Sequence, residues 1–232
     1  MKSSEKENNS YKIAANEFLR QSILAKYSYQ FTWMGRPVIQ YPQDMMAMQE
    51  IIWKVQPDLL IETGIAHGGS LIFYASMLEL IGKGEVLGID IDIRQHNRVE
   101  IEKHSMYKRI KMIEGSSVSS EIIKKVSELC EDKEKIMVVL DSNHTHEHVF
   151  KELELYSPLV SKDSYLVVFD TVIEDIADMG VDFPDRPWGK GNNPKTAVNE
   201  FLKTNSNFEV DKDIENKLLI TVAPCGYLKR LK

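Results

Sequence analysis

The sequence predicts an α/β protein on a Rossmann-like, mostly parallel seven-stranded sheet, with helices on both faces and a C-terminal antiparallel hairpin. Three observations carry this. Between residues 58 and 169, apolar runs of strand length alternate with segments of helical period, the pattern of βα units joined by crossovers. These βα steps show no internal repeat, which suits one doubly covered parallel sheet. The last two apolar runs, about 206–211 and 217–223, stand too close together for a crossover helix, so one strand must run antiparallel to the sheet.

The elements follow in order. The first ten residues are polar and expected to lack fixed structure. Residues 12–31 carry Ile13, Phe18, Leu19, Ile23 and Leu24 at helical spacing, an amphipathic helix ahead of the core. The aromatic, proline-punctuated stretch Thr32–Pro42 has no period and reads as a connector or a lid over a site. Asp44 is placed to N-cap a helix over 45–56, which Pro57 ends. Strands are expected at 58–63, 85–90, 109–113, 136–141 and 164–169, with helices at about 69–82, 94–103, 118–130 and 146–156. After residue 170 comes a long loop with Pro184, Pro187, Gly189, Gly191 and Pro194, then a helix over 194–203. The division expected is an N-terminal helix and lid segment, 1–44, ahead of a catalytic domain, 45–232.

Composition narrows the function. At 232 residues and 43% hydrophobic, the chain supports one domain with a substantial core. A net charge of −6 without a Lys/Arg cluster argues against a nucleic-acid partner. Cys130 and Cys225 lie far apart without metal-ligand spacing, as in a reduced cytoplasmic protein. The N-terminus is polar, unlike a signal peptide, and no apolar run reaches the ~18–20 residues of a membrane span. The helix over 12–31 offers a dimerisation element.

The chain is organised around Leu59-Leu60-Ile61-Glu62-Thr63-Gly64-Ile65-Ala66-His67-Gly68-Gly69-Ser70. A buried strand ends in an acid, passes through glycines and opens into a helix whose free N–H groups face the turn. A dinucleotide site would need Gly-x-Gly-x-x-Gly and an acid after the second strand. Asp90 supplies that acid for ribose hydroxyls, but Ala66 stands where the middle glycine should be. Glu62 would repel a pyrophosphate and favour a ligand bearing an ammonium and a sulfonium. S-adenosyl-L-methionine is such a ligand; NAD(P) is the alternative. Glu114-Gly115-Ser116-Ser117 follows the third strand, where an adenine would lie, with Ser117 also a plausible helix cap.

A second constellation follows the fourth strand: Asp141-Ser142-Asn143-His144-Thr145-His146-Glu147-His148. Asp170 follows the fifth. Both aspartates fall on the carboxyl edge, where ligands bind in open α/β sheets, and they would repel each other without a cation between them. Oxygen donors favour Mg²⁺, Mn²⁺ or Ca²⁺; zinc or iron on the three histidines is the rival. His144 is placed to act as a general base. His146 and His148 read as surface or supporting residues.

Together these stretches resemble the cephalosporin hydroxylase family, which has the S-adenosylmethionine methyltransferase fold and includes rhamnosyl O-methyltransferases. The matches are Trp33-x-Gly35, Gln40-x-Pro42-x-Asp44, the glycine turn, Gly88-Ile89-Asp90-Ile91-Asp92-Ile93-Arg94, Gly115-Ser116-Ser117, Leu140-Asp141-Ser142-x-His144, Asp170-Thr171 and Pro224-x-Gly226-Tyr227-Leu228. More distantly the chain is similar to metal-dependent sugar O-methyltransferases of macrolide pathways. The resemblance implies cofactor contacts from Glu62, Gly64, His67, Gly68, Gly69, Ser70, Asp90, Asp92, Arg94, Ser116 and Asp141. It implies a divalent metal, Mg²⁺ foremost, on Asp141 and Asp170, with His144 as base. One departure stands out: the first position of the acidic pair is Phe169, so either Glu174 or Asp175 replaces it from the following loop, or the site is weaker, or it holds no metal. The expected activity is methyl transfer to a hydroxyl of a sugar or related small polar acceptor. An oxygenase or oxidoreductase, and a cofactor-binding protein without catalysis, are the alternatives.

Overall fold

A computed structural model describes residues 2–232, with side chains from Ser10 onward. Helix α1 spans Lys2–Leu24 and a 3₁₀ turn covers Tyr27–Gln30. The helix therefore runs through the stretch expected to lack structure; Met1 lies outside the described residues. Strands β1 (Phe31–Trp33) and β2 (Arg36–Val38) form an antiparallel hairpin, so the aromatic stretch is more regular than its sequence suggests. Trp33 Nε1 donates to Ser76 Oγ (3.0 Å), and its ring meets Phe73 edge-on. The hairpin is thereby packed against the helix after the glycine turn.

The main elements are α2 (Pro42–Val55), β3 (Leu59–Thr63), α3 (Gly69–Ile81), β4 (Glu85–Asp90), α4 (Gln95–Glu102), β5 (Ile110–Glu114), α5 (Ser120–Cys130), β6 (Ile136–Leu140), α6 (His146–Tyr156), β7 (Tyr165–Val168), α7 (Val172–Asp178), α8 (Pro194–Thr204), β8 (Phe208–Val210), α9 (Lys212–Leu218) and β9 (Tyr227–Arg230). The seven-stranded sheet has the order β5-β4-β3-β6-β7-β9-β8. Pairings from β5 to β7 are parallel, whereas β9 runs antiparallel to both β7 and β8. Alternating side chains build two cores. Leu60, Val86, Met137, Val139 and Val167 pack under α2, α3 and α7. Leu59, Ile61, Leu87, Val138, Leu140 and Leu166 pack under α5, α6 and α8. Both faces being covered explains why these strands read as unbroken apolar runs. Among the described residues no helix is long and apolar enough to cross a membrane.

Five local expectations are corrected. Asp44 lies inside α2, not at its cap, and its side chain is fully buried, accepting from Tyr227 Oη (2.7 Å), Val222 N (3.0 Å) and Thr221 Oγ1. Two features explain why 217–223 is no strand: Lys217 and Leu218 belong to helix α9, and Asp44 takes the Val222 amide that a ladder would use, so the last strand forms at 227–230 instead. The link between β8 and β9 includes α9, whose first turn is capped by Asp211 accepting from Asp213 N and Ile214 N. Lastly, Ser119 rather than Ser117 caps α5, and the stretch after residue 170 opens with helix α7 rather than loop.

Candidate active site

Strand β3 is the topological switch point: β4 leaves on one side and β6 lies on the other, so a crevice opens above their carboxyl ends. The turn after β3 carries Gly64 (φ 92°), Ala66 (φ 46°) and Gly68 (φ 80°) in the left-handed region. A Cβ on Gly64 would stand 2.1 Å from the Asp141 carbonyl oxygen, so only glycine lets β3 and β6 approach this closely. Gly69 is equally constrained, since its Cβ would stand 2.1 Å from the Pro37 carbonyl of the hairpin.

The turn is held rigid from behind. Asp90 Oδ2 accepts from the amides of Ile65 (2.8 Å) and Ala66 (3.2 Å), while its Oδ1 accepts from Asp92 N (3.1 Å). Arg36, from the hairpin, donates to the His67 carbonyl (3.1 and 2.5 Å) and to Asn97 Oδ1 (3.1 Å). Asn97 Nδ2 in turn donates to the Ala66 carbonyl (2.9 Å). Asp90, expected to hold ribose, also shapes the turn through these bonds. Asp92 and Arg94 project outward with side chains 71% and 68% exposed, 3.9 Å apart, open to a ligand.

Glu62, the penultimate residue of β3, is fully buried. Its Oε2 accepts from Ser70 Oγ (2.7 Å), but Oε1 has no partner. Burial, reinforced by the charge of Asp90, pushes its pKa up to about 8 against the bonds that oppose the shift. Among the described residues no Lys or Arg pairs with Glu62 or Asp141. The Oε1 oxygen is therefore open to a further donor, neutral or cationic.

Asp141 follows β6 in the same crevice. Burial raises its pKa well above the carboxylate range, and the charges of Asp170, Glu62 and Glu152 add to the shift. Gln40, which precedes α2, opposes this by donating from Nε2 to Asp141 Oδ2 (3.1 Å). Asp170 holds a left-handed backbone (φ 55°) just past β7, and His144 Nε2 lies 3.2 Å from its Oδ2. Asp141, His144 and Asp170 each offer a donor atom within 4.8 Å of the others. Mutually repelling carboxylates beside an imidazole make a donor set for a divalent cation.

Neither expected substitute for the missing acid reaches this group. Glu174 Oε2 accepts from Gly191 N (2.8 Å) and from Asn193 Nδ2. Asp175 is paired with Lys195 (2.6 Å). Phe169, 1% exposed, instead lines a small cavity with Gln40, Ser70, Phe73 and Tyr74. The other histidines support the scaffold. His146 Nδ1 lies 2.8 Å from Thr196 Oγ1 of α8. His148 Nε2 bridges Ser117 Oγ and Ser142 Oγ, each at 3.2 Å. That contact ties the loop bearing Ser116 to the loop bearing Asp141. Two contributors escaped the sequence reading of the site: Gln40 stood only within a motif, and Arg36 carried no signal beyond its neighbours.

Comparison with known proteins identifies the family and the fold. The family model described as rhamnosyl O-methyltransferase/CmcI matches residues 25–231. The rhamnosyl O-methyltransferase of Mycobacterium tuberculosis is 32% identical over 202 residues, covering 86% of this chain and 78% of that protein. The apo structure of CmcI superposes with a TM-score of 0.65 at 19% identity, covering 88% of this chain and 77% of that one. A structure of CmcI with Mg and SAM gives 0.63 at 16% identity, covering 88% and 78%. At these identities the structural likeness is one of fold.

Proposed function

The chain belongs to the rhamnosyl O-methyltransferase/CmcI family, and from that premise we propose that it transfers the methyl group of S-adenosyl-L-methionine to a hydroxyl of a sugar, with Asp141, His144 and Asp170 as the reacting edge. The single observation that carries this reading is the convergence of those three donors within 4.8 Å beside a glycine turn whose strand ends in a buried, half-satisfied carboxylate.

When bound, S-adenosyl-L-methionine supplies an electrophilic methyl carbon and a divalent ion, Mg²⁺ foremost, acidifies a coordinated hydroxyl. The residues fit both. The unpartnered Glu62 oxygen suits an ammonium, and Gly64, Gly68 and Gly69 let the turn pack tightly against Asp141, Ile101 and Pro37, which leaves its backbone to face the cofactor. His67, Ser70, Asp92, Arg94 and Ser116 complete the proposed cofactor contacts. Asp141 and Asp170 would hold the ion. His144 takes the hydroxyl proton at Nδ1, with its Nε2–H donating to Asp170 Oδ2 (3.2 Å) and its ring meeting that of Trp188 at 4.8 Å between centroids. The acceptor oxygen then bonds to the methyl carbon as the carbon–sulfur bond breaks, leaving a neutral thioether. Gln40 fixes the Asp141 carboxylate. The segment 33–44 and the loop 178–193, with Trp188, cover the crevice and exclude water.

The test is transfer of labelled methyl from S-adenosyl-L-methionine to methyl α-L-rhamnopyranoside and other glycosides. Product carrying label on oxygen supports the reading. Binding of NAD(H) in place of S-adenosyl-L-methionine would remove it.

A further inference from the structure

Loop 179–193 contains a built feature beside the reacting edge. The residues flanking Trp188 are hydrogen-bonded. The Pro187 carbonyl accepts from Asn192 Nδ2 (2.8 Å), and Gly189 forms a two-bond bridge with Asn192 (3.0 and 3.1 Å). The Gly189 carbonyl also accepts from Asn193 Nδ2 (2.8 Å). Asn193 is fully buried and starts α8, where its Oδ1 accepts from Lys195 N and Thr196 N. Glu174 of α7 anchors the same segment through Gly191 N and Asn193 Nδ2, and Asn192 Oδ1 accepts from His146 N at the start of α6 (2.9 Å). Three helices thus fix the backbone that carries one partly exposed indole.

That indole meets His144 with the ring planes at 90°. On it lies the guanidinium of Arg186, 5.2 Å from the ring centroid. Arg186 is exposed and can leave the ring to donate to hydroxyls. A face of π-electrons carries negative charge, which the C–H bonds of a sugar ring complement, while the hydroxyls point outward to polar donors. A backbone fixed this way, with the indole set against His144, reduces the ordering that stacking on it would cost.

We propose that Trp188 is the acceptor platform: a pyranose ring lays its C–H face on the indole with a hydroxyl directed at His144, and Glu174 is a positioning residue that holds the platform through the Gly189–Asn193 segment. This rests on the sugar-transferase reading and names the recognition element within it. It also gives Glu174 a task other than the metal-ligand role its sequence position suggested.

The experiment measures binding and turnover separately, with methyl α-L-rhamnopyranoside as probe. Saturation-transfer NMR reports glycoside binding without chemistry, and calorimetry reports S-adenosyl-L-methionine affinity. Trp188→Ala should weaken glycoside binding by about tenfold, equivalent to about 1.4 kcal/mol, with cofactor affinity unchanged; Trp188→Phe should recover most of it. Glu174→Gln should raise the glycoside KM several-fold more than it lowers kcat. Equal binding by wild type and Trp188→Ala, or no binding by wild type, overturns the platform. A glycoside that binds through Trp188 but receives no methyl group leaves the platform standing and overturns the transferase reading.

Discussion

Replacing Glu62 with glutamine should make the ligand-free protein less sensitive to alkali. Glu62 is fully buried with one oxygen unpartnered, and its pKa rises from the usual 4.5 to about 8, chiefly through burial. Between those values the folded protein keeps a proton that the unfolded chain has lost. Folding stability is then greatest at low pH and falls as pH rises through the window, by about 1.4 kcal/mol per pH unit. From pH 5.5 to 7.5 that amounts to about 3 kcal/mol, or about 5–10 °C in Tm for a chain of this size. Glutamine carries no proton to lose, so its profile should be flatter by that amount. Its unpaired amide lowers the whole curve by about 1–3 kcal/mol without changing the slope. Asp44, also raised by burial to about 6, contributes to both proteins alike and cancels in the difference. Thermal denaturation followed by circular dichroism across this range is the assay. S-adenosyl-L-methionine should flatten the wild-type profile, because its ammonium stabilises the ionised carboxylate, and should bind the variant more weakly. Parallel profiles for the two proteins, together with equal cofactor affinity, would refute the argument.

Other outcomes follow from the same geometry. His144→Ala should lower kcat by about 10²–10⁴-fold with cofactor Kd unchanged, measured by single-turnover kinetics and calorimetry. Dialysis against EDTA should silence methyl transfer, and Mg²⁺ or Mn²⁺ should restore it; Asp141→Asn should abolish that restoration. Gly69→Ala drives a methyl group to 2.1 Å from the Pro37 carbonyl, so it should separate the hairpin from α3 and lower Tm along with cofactor affinity. Tyr227→Phe removes one donor from buried Asp44 and should cost about 1–3 kcal/mol in chemical denaturation.

The parallel core was legible because strands buried on both faces leave continuous apolar runs, and their helices carry the matching period. The ends were less so. Leu218-Leu219-Ile220-Thr221-Val222 has strand composition, yet its backbone wraps Asp44, a partner 177 positions away from Thr221 that no local pattern reveals. Hairpin β1–β2 was hidden because three-residue strands have no period to detect. Asp141, His144 and Asp170 were legible from their places at strand ends, since a parallel sheet brings such positions together. The engagement of Glu174 by Asn193, and of Asp90 by the turn amides, required coordinates, because side-chain partners depend on loop paths rather than on sequence spacing.

The proposed reaction passes a methyl group to an alcohol held at the Asp141–His144–Asp170 edge. Incubation with ¹³C-methyl S-adenosyl-L-methionine and methyl α-L-rhamnopyranoside, followed by carbon NMR, tests this most directly. An O-methyl resonance on the sugar that disappears in His144→Ala is the expected result. A labelled product made equally well by His144→Ala, or no labelled glycoside from a protein shown to bind the cofactor, would contradict it.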